Sequence, residues 1–254
     1  MAPVDSSPVL PLDGRLPKLI AFDLDYTLWD FWVDTHVTPP LKRRNDSDVN
    51  LIYDKHGERI GFYSEVPSIL LQLHKGRIHI AAASRTSAPR AARQALTELL
   101  VPGELNSVVD DPAYRAPKAA EPQLISSIRL FDTMEIYPGS KIAHFKAIHE
   151  KTGIPYNEMV GWVPDYREAT KELEANTSFQ HAFFRSFTTS RNREVTKLGV
   201  TFVLVQNGMT KKLLESGIES WRKFGLSPWG KIAAARGGVL GTSPDGFGID
   251  FSID

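Results

Sequence analysis

Short apolar runs that end abruptly in polar residues constrain the fold of this chain more than any other feature of its sequence. The first run, 19–22, ends at Asp23, a second run, 78–83, ends at Ser84, and a third spans 200–205. Runs of this length are typical of parallel strands that are buried on both faces. Helical patterns separate them, so we predict an α/β fold: an open, mostly parallel sheet with helices on both faces.

The helical patterns have recognisable start and stop signals. From the spacing of apolar residues, helices are predicted over 66–75, 88–100, 140–151 and 210–224. Ser87 is the expected N-cap of the second helix, and Ser140 and Gly153 are expected to begin and close the third. Elsewhere we expect a strand over 131–136, a small hairpin within 34–62, and mostly loop over 101–130, where prolines recur.

The predicted elements suggest one main domain with two appendages. Residues 1–16 are rich in Pro and Ser and are expected to be a loose lead-in, and 17–224 should form the domain. The tail 225–254 is rich in Gly, Ser and Pro and is expected to be disordered. At 254 residues the chain is long enough for one such domain.

Composition excludes several classes of function. Thirty basic residues balance thirty acidic ones, which argues against a nucleic-acid or membrane-surface binder. The chain has no cysteine, so disulfides, thiolate metal sites and cysteine nucleophiles are excluded. Its first 17 residues lack the pattern of a signal peptide, and no apolar stretch is long enough for a membrane helix. We therefore expect a monomeric, cytoplasmic protein, with the nucleus left open as a second location.

Two aspartates directly after the first apolar run are the leading candidates for chemistry. Side chains two apart on an extended segment point the same way, so Asp23 and Asp25 should face one site. Mg²⁺ suits such oxygen ligands and can also bind a phosphate oxygen. Asp23 would then attack phosphorus, while Asp25 protonates the leaving oxygen and later activates water. An isolated pair of this kind is more often a solvated turn or an N-cap.

Residues after two later elements could bind a phosphoryl group. Ser84 offers a hydroxyl at the end of the second run, and Arg85 offers a planar guanidinium. Taken alone, this run is more often a helix cap. Lys141 lies in the first turn of a predicted helix, an unfavourable place for a cation unless an anion is near.

Taken together and in order, these motifs resemble the haloacid-dehalogenase superfamily, three of whose four motifs are present. The segments that carry the resemblance are 16–37, 81–87 and 136–141, with the first reading LPKLIAFDLDYTLWDFWVDTHV. They are similar to the magnesium-dependent phosphatase-1 family, a capless branch with a Rossmann-like sheet. The similarity covers most of 16–100, 131–160 and 191–215.

The resemblance implies a role for each matching residue. Asp23 would be the nucleophile and a Mg²⁺ ligand, and Asp25 the proton donor, which also supplies a backbone carbonyl to the metal. Substrate or phosphate contacts are implied for Leu24, Trp32, Ser84, Arg85 and Lys141. The implied substrates are phosphorylated small molecules such as sugar phosphates, or phosphoproteins that contain phosphotyrosine.

The chain departs from this family at the fourth motif. An adjacent pair of acids is expected after the strand that begins near 156, but 161–189 stands in its place as an apparent insert. Asp165 is the only aspartate there and the candidate third metal ligand, although Pro164 before it is expected to break the strand. Two classes of function stay open: an active Mg²⁺-dependent phosphomonoesterase, in which Asp165 or a nearby Glu replaces the missing acid, and a weakened or inactive relative that binds phosphorylated ligands. A phosphotransferase or mutase is less favoured, because no sizeable cap domain is visible to exclude water.

Overall fold

The computed structural model describes residues 14–103, 123–164 and 193–224. Within them, five parallel strands form the central sheet in the order β7-β4-β1-β8-β9. These strands are β1 Leu19–Phe22, β4 His79–Ser84, β7 Thr133–Ile136, β8 Met159–Pro164 and β9 Thr201–Val205. The predicted α/β fold with an open parallel sheet is therefore confirmed.

The sheet lies between two hydrophobic cores, because alternate residues of each strand point to opposite faces. On one face, Ile20 and Phe22 join a core covered by three helices, α1 Val66–Lys75, α2 Pro89–Glu98 and α4 Lys211–Phe224. On the other face, Leu19 and Ala21 join a core covered by α3 Lys141–Thr152 and by a 3-10 helix, Arg193–Leu198. Helices thus cover both faces, as predicted.

Two small antiparallel ribbons accompany the sheet. The hairpin expected within 34–62 is present as β2 Ile52–Tyr53 and β3 Arg59–Ile60. The predicted loop 101–130 instead contributes a second ribbon, β5 Leu100–Pro102 with β6 Leu124–Ser126, and a 3-10 helix, Ser127–Leu130. A further 3-10 helix, Tyr156–Glu158, precedes β8. No helix among the described residues is long and apolar enough to span a bilayer.

The predicted helix ends are partly right. Ser140 caps α3 by accepting a hydrogen bond from the Ala143 amide, and Gly153 closes the helix at a φ of 68°. The predicted Ser87 cap of α2 is wrong: the N-cap is Ala88, and it makes no side-chain cap bond. The Ser87 hydroxyl instead donates to Asp34 at 2.9 Å, a partner 53 residues away that local sequence rules cannot reveal.

Pro164 does not break its strand, contrary to the prediction. It pairs with Val205 in the parallel register of β8 and β9, and 161–164 are all buried strand residues. Beyond Trp162, β8 has no further pairing with β1, so the N–H that proline lacks is not needed on that side. The rest of the expected insert, 165–189, lies outside the described residues, and so does Asp165.

The end of the expected lead-in makes specific contacts with the domain. The Arg15 guanidinium lies 4.6 Å from the centroid of the Trp221 ring and forms an ion pair with Glu158. The Arg15 carbonyl also accepts a hydrogen bond from Arg222 Nε at 2.8 Å. Residues 14–16 are therefore part of the domain, while residues 1–13 and the expected tail 225–254 lie outside the described residues.

Candidate active site

Asp23 occupies the carboxyl end of the central strand of the sheet. Its amide donates to the Trp162 carbonyl at 2.8 Å, which extends the pairing of β1 with β8 by one residue. Only 3% of Asp23 is exposed, and its Oδ1 accepts a hydrogen bond from the Leu24 amide at 2.9 Å. In open parallel sheets, ligands bind at the carboxyl ends of the strands, in the crevice between neighbouring loops.

Lys141 provides the positive charge opposite this carboxylate. Its Nζ lies 2.7 Å from Asp23 Oδ2, and it also donates to the Ala83 carbonyl at the end of β4. The Lys141 side chain is completely buried. Burial lowers the pKa of Lys141, and the Asp23 charge opposes that shift. The lysine at the start of α3 thus has the anionic neighbour that its position in the sequence implied.

Asp25 is held by two donors on one of its oxygens. Its Oδ1 accepts hydrogen bonds from Trp29 Nε1 at 2.8 Å and from the Val33 amide at 3.2 Å. Burial is the main cause that raises the pKa of Asp25 to about 7, and the Asp23 charge adds to it against the Trp29 hydrogen bond. A carboxyl group that carries a proton near neutral pH can act as a general acid.

Ser84 ends β4, the strand next to β1, and Arg85 directly follows it. Ser84 is buried at the end of the strand, where its Oγ accepts a hydrogen bond from the Thr86 amide at 3.3 Å and its carbonyl accepts one from the Tyr137 amide. Arg85 is half-buried, and its charge contributes to the lowered pKa of Lys141. The last residue of β4 and the residue after it therefore carry a hydroxyl and a second cation, directly after the Ala83 carbonyl that binds Lys141.

Leu24 and Trp32 differ in what they can offer a ligand. The Leu24 side chain is fully buried in the core, so only its backbone can meet a substrate. Trp32 is half-buried and lies beside Val33, whose amide binds Asp25. Tyr26, directly after Asp25, has a φ of 53°. Residues other than glycine rarely adopt this backbone conformation outside functional sites and tight turns.

The oxygen donors suit a hard divalent cation but do not complete a site by themselves. Asp23 presents a buried carboxylate beside a second acid, and Mg²⁺ prefers such oxygen ligands, often with only one or two protein carboxylates and several waters. Within the described ranges, no three His, Asp or Glu side chains come together to hold a metal. Pro164 is the last described residue of β8, the strand next to β1, and Asp165 follows it in the sequence.

Two contributors to the site were not predicted from the sequence. Trp29 holds the Asp25 carboxylate, and its spacing of four residues from Asp25 is the only local signal that could have found it. His144 lies one turn after Lys141, is fully buried, and binds the Tyr137 carbonyl through Nε2 at 3.0 Å. Burial, followed by the Lys141 charge, lowers the pKa of His144 to about 4, so this ring is neutral at physiological pH.

Comparison of the sequence with known proteins shows the family of this chain. The sequence profile described as Acid Phosphatase matches residues 15–182. Magnesium-dependent phosphatase 1 of Homo sapiens is 36% identical over 215 residues, which cover 85% of this chain and 93% of the human protein. A HAD-like hydrolase superfamily protein of Schizosaccharomyces pombe is 38% identical over 189 residues, or 74% of this chain and 86% of that protein.

A solved structure also resembles the chain, at a lower level. It is the crystal structure of the N-terminal part of a Bacteroides fragilis protein, containing a phosphatase domain complexed with Mg. The TM-score is 0.35 with 12% identity, and the likeness covers 83% of this chain but 40% of that one.

The chain is thus an α/β protein with two buried carboxylates and a buried lysine at the carboxyl edge of its sheet. It belongs to the acid phosphatase family, in the branch of the haloacid-dehalogenase superfamily that includes magnesium-dependent phosphatase 1.

Proposed function

We propose that this protein is a Mg²⁺-dependent phosphomonoesterase in which Asp23 is the nucleophile. The observation that carries the proposal is the buried Asp23–Lys141 pair at the carboxyl edge of β1, with Ser84 and Arg85 on the adjacent strand. A carboxylate in this position can attack a phosphoryl group while two cations and a hydroxyl bind its oxygens. The name of the human relative supports the dependence on magnesium.

The reaction would proceed in two displacements at phosphorus. In the first, an Asp23 carboxylate oxygen forms a bond to phosphorus while the bond to the leaving oxygen breaks, and that oxygen takes the proton of Asp25. In the second, Asp25 accepts a proton from water as the water oxygen bonds to phosphorus, and the bond between phosphorus and Asp23 breaks. The products are an alcohol, inorganic phosphate and the enzyme in its starting state.

Lys141 and Arg85 would hold the negative charge that the phosphoryl oxygens carry through both displacements. Because Lys141 is fully buried and already fixed between Asp23 and the Ala83 carbonyl, little reorganisation is needed when phosphate arrives. Asp23, the Asp25 carbonyl and Asp165 are the proposed metal ligands, and a bound Mg²⁺ would neutralise part of the phosphate charge.

An aryl phosphate or a sugar phosphate is the proposed substrate. The segment between β1 and α1 folds only into the β2–β3 hairpin, so the described part of the chain places no separate cap domain over the site on that side. A site without a cap would admit bulky phosphates, including phosphotyrosine in a protein. We also propose that the enzyme acts in the cytoplasm as a monomer.

The second candidate function is that of a weakened or inactive relative that binds phosphorylated ligands. It is favoured by one observation: the described residues bring no third acidic ligand to Asp23 and Asp25. The two candidates differ in turnover, which is directly measurable.

The test is phosphate release from p-nitrophenyl phosphate by the purified full chain, with Mg²⁺ titrated in and then removed with a chelator. We expect activity that needs Mg²⁺, and a loss of roughly 10³-fold or more in the Asp23→Asn variant, whose amide is isosteric but not nucleophilic. Retention of the far-UV circular dichroism spectrum would show that the variant is folded. Turnover by Asp23→Asn above a clean blank would exclude the covalent mechanism, and no turnover by the unmodified protein at any Mg²⁺ concentration would favour the second candidate.

A further inference from the structure

The segment between β1 and α1 carries cations on the outer face of a small ribbon. Lys42 pairs with Tyr53, and Tyr53 pairs with Arg59, both in antiparallel register. Residues that are directly opposite in such a register point to the same face, so these three side chains lie together. Lys42 and Arg59 are exposed, and Tyr53 is half-buried. The opposite face of the ribbon packs into the core through Leu41, Ile52 and Ile60.

Arg44 adds a third cation, which is held against the Tyr53 ring. Its guanidinium carbon lies 3.6 Å from the centroid of that ring. Its Nη2 lies close to Gly57, where an added Cβ would be 3.0 Å away. A guanidinium that stacks on an aromatic ring still presents N–H donors at the edge of its plane, and less side-chain entropy is lost when a partner binds. We call Lys42, Arg44, Tyr53 and Arg59 the basic face.

The acids of the same segment do not neutralise the basic face. Asp48 Oδ2 accepts hydrogen bonds from two backbone amides, at 2.8 and 3.0 Å. Asp54 is buried, and its carboxylate accepts hydrogen bonds from three backbone amides. Asp46 and Glu58 are exposed, and neither forms an ion pair within the described ranges.

The cations of the basic face have no ion-pair partner of their own in the part of the chain that the structure describes. The ion pairs there involve other cations, namely Arg15, Arg43, Lys141 and Lys151. Three unpaired positive charges around one tyrosine repel one another. The full chain has equal numbers of acidic and basic residues, so this excess of positive charge is local. A bound polyanion would relieve the repulsion.

The spacing of the basic face suits an extended acidic peptide. Residues directly opposite on paired strands lie about 5 Å apart, so Lys42 and Arg59 stand about 10 Å apart with Tyr53 between them. Acidic side chains at alternate positions of an extended peptide are about 6–7 Å apart and point the same way. Such a peptide can place one carboxylate at the Arg44 guanidinium and others at Lys42 and Arg59, whereas a single phosphate ion cannot reach across the face.

Larger polyanions suit the basic face less well. The affinity of a protein for a nucleic acid comes from the number of phosphates that it neutralises, and three cations neutralise few. The chain as a whole has no net charge, so it offers no long-range attraction to a nucleic acid or to an anionic membrane. One face of the Tyr53 ring is covered by Arg44 and is therefore not presented to a lipid.

We propose that the basic face is a docking surface for an acidic peptide segment of a partner protein. Arg44 would bind one carboxylate through the edge of its guanidinium, while Lys42 and Arg59 bind the carboxylates on either side. The inference is independent of the proposed function, because none of these residues belongs to the candidate active site.

The test measures peptide binding to the purified full chain by fluorescence anisotropy. The probe is a short fluorescein-labelled peptide with glutamate at alternate positions, and the same peptide with glutamine is the control probe. One variant, Lys42→Gln/Arg44→Gln/Arg59→Gln, removes the charges of the basic face, and Arg44→Lys keeps the charge of residue 44 but loses the planar guanidinium. A matched variant removes the same charge from exposed lysines of α3, of the 3-10 helix after β8 and of α4, and it is Lys146→Gln/Lys197→Gln/Lys212→Gln.

We expect the unmodified protein to bind the glutamate peptide more tightly than the glutamine peptide, and to bind it less tightly as salt is added. Each exposed ion pair contributes a factor of roughly 1.5 to 5 in affinity, so loss of all the charges of the basic face should weaken binding by roughly 10-fold or more. Arg44→Lys should show a smaller loss, and the matched variant should stay within about 2-fold. Turnover of p-nitrophenyl phosphate should be the same in all of these proteins, because the candidate active site is untouched.

The proposal is overturned if the unmodified protein binds the two peptides equally. Equal losses in the two triple variants would also overturn it, because only net charge would then matter. So would tighter binding of a duplex oligonucleotide or of phosphatidylserine vesicles through the same cations, because the partner would then be a different polyanion. Melting temperatures check that each variant is folded. If the basic-face variant does not fold, Arg44→Lys is compared with Lys146→Gln, and equal affinity of these two for the glutamate peptide would contradict the proposal.

Discussion

At the scale of single residues, the main feature of the site is the direct contact between two buried side chains, Lys141 and Asp23. Neither ion is favourable alone in the interior, because each has lost its hydration, and each is tolerated because the other is 2.7 Å away. Removal of one partner leaves the other charged and unpaired, which costs more than the loss of the attraction itself. The pair can therefore be tested by its effect on stability, separately from its effect on catalysis.

We predict that Lys141→Met lowers the free energy of unfolding by about 3–5 kcal/mol, the usual cost of an unpaired buried charge. The double variant Asp23→Asn/Lys141→Met should regain much of that loss, because residue 23 then carries no buried charge that needs a partner. Urea unfolding in the presence of a chelator measures both, so that no metal ion compensates for Asp23. Additive effects of the two substitutions would contradict the coupling that the geometry implies.

The Asp25 carboxyl group can be changed without loss of its two hydrogen bonds. An asparagine in this position keeps an Oδ1 that can accept from Trp29 Nε1 and the Val33 amide, so the fold should be retained. The amide cannot donate a proton to a leaving oxygen or accept one from water.

We predict that Asp25→Asn lowers kcat by roughly 10²- to 10⁴-fold for an alkyl phosphate, whose leaving group needs a proton. For p-nitrophenyl phosphate the loss in the first displacement should be smaller, because the nitrophenolate leaves without protonation. Burst kinetics with both substrates separate the two displacements. Equal losses in the first displacement for the two substrates would show that Asp25 is not the general acid.

At the scale of elements, α4 packs closely on the sheet at Gly217. A Cβ at Gly217 would lie 2.5 Å from Trp162 Cζ2 and 3.1 Å from Val203 Cγ2. Trp162 is fully buried and its ring contacts that of Phe22, the last residue of β1, with centroids 5.7 Å apart and planes tilted by 33°. The helix can approach β8 and β9 this closely only because residue 217 has no side chain.

We predict that Gly217→Ala destabilises the protein although alanine is the better helix former. The gain in helix propensity is about 1 kcal/mol, whereas overpacking of a core costs about 1–3 kcal/mol, so the net loss should be up to about 2 kcal/mol. Chemical denaturation measures this loss. Glu219→Ala, at an exposed position of the same helix, is the control and should stay within about 0.5 kcal/mol; a stabilised Gly217→Ala variant would mean that the Trp162 ring can move aside.

At the scale of the whole molecule, completion of the proposed metal site depends on the segment that follows β8. Asp23 directly follows β1, and β8 pairs with β1 as far as Trp162 and continues to Pro164, where the described part of that segment ends. Pro164 pairs regularly with Val205, so the strand that leads to Asp165 is intact. The objection that proline would disturb the strand is thereby removed, and Asp165 stays the first candidate for a third ligand.

We predict that Asp165→Ala raises the Mg²⁺ concentration needed for half-maximal activity by roughly 10- to 100-fold, a loss typical even of groups that only support a ligand. The melting temperature in the presence of a chelator should not change, because no metal contact is then lost. Glu168→Ala is the matched control for a nearby acid. Unchanged kinetics for Asp165→Ala would show that the metal is held without this residue.

Apolar periodicity along the chain was sufficient to predict the alternation of strands and helices. Apolar periodicity is a local property, and for Leu19–Phe22 it reflects burial on both faces of the sheet. Local chemistry also predicted the Ser140 cap and the Gly153 turn, since each depends on neighbours within one turn of helix. The order of the motifs along the chain was enough to identify the family, which the acid phosphatase profile and the human relative confirm.

Contacts between residues that are distant in sequence depend on how the elements pack, and no local pattern predicted them. Lys141 reaches Asp23 across 118 positions of sequence because α3 packs against the end of β4, which neighbours β1. Ser87 binds Asp34 instead of capping α2, and Pro164 stays in its strand because β8 needs no further bond to β1 there. The physical reason is common to all three: the packed fold decides which partner lies near a side chain and which backbone bonds a strand needs, whereas a propensity reports only what neighbours in sequence can offer.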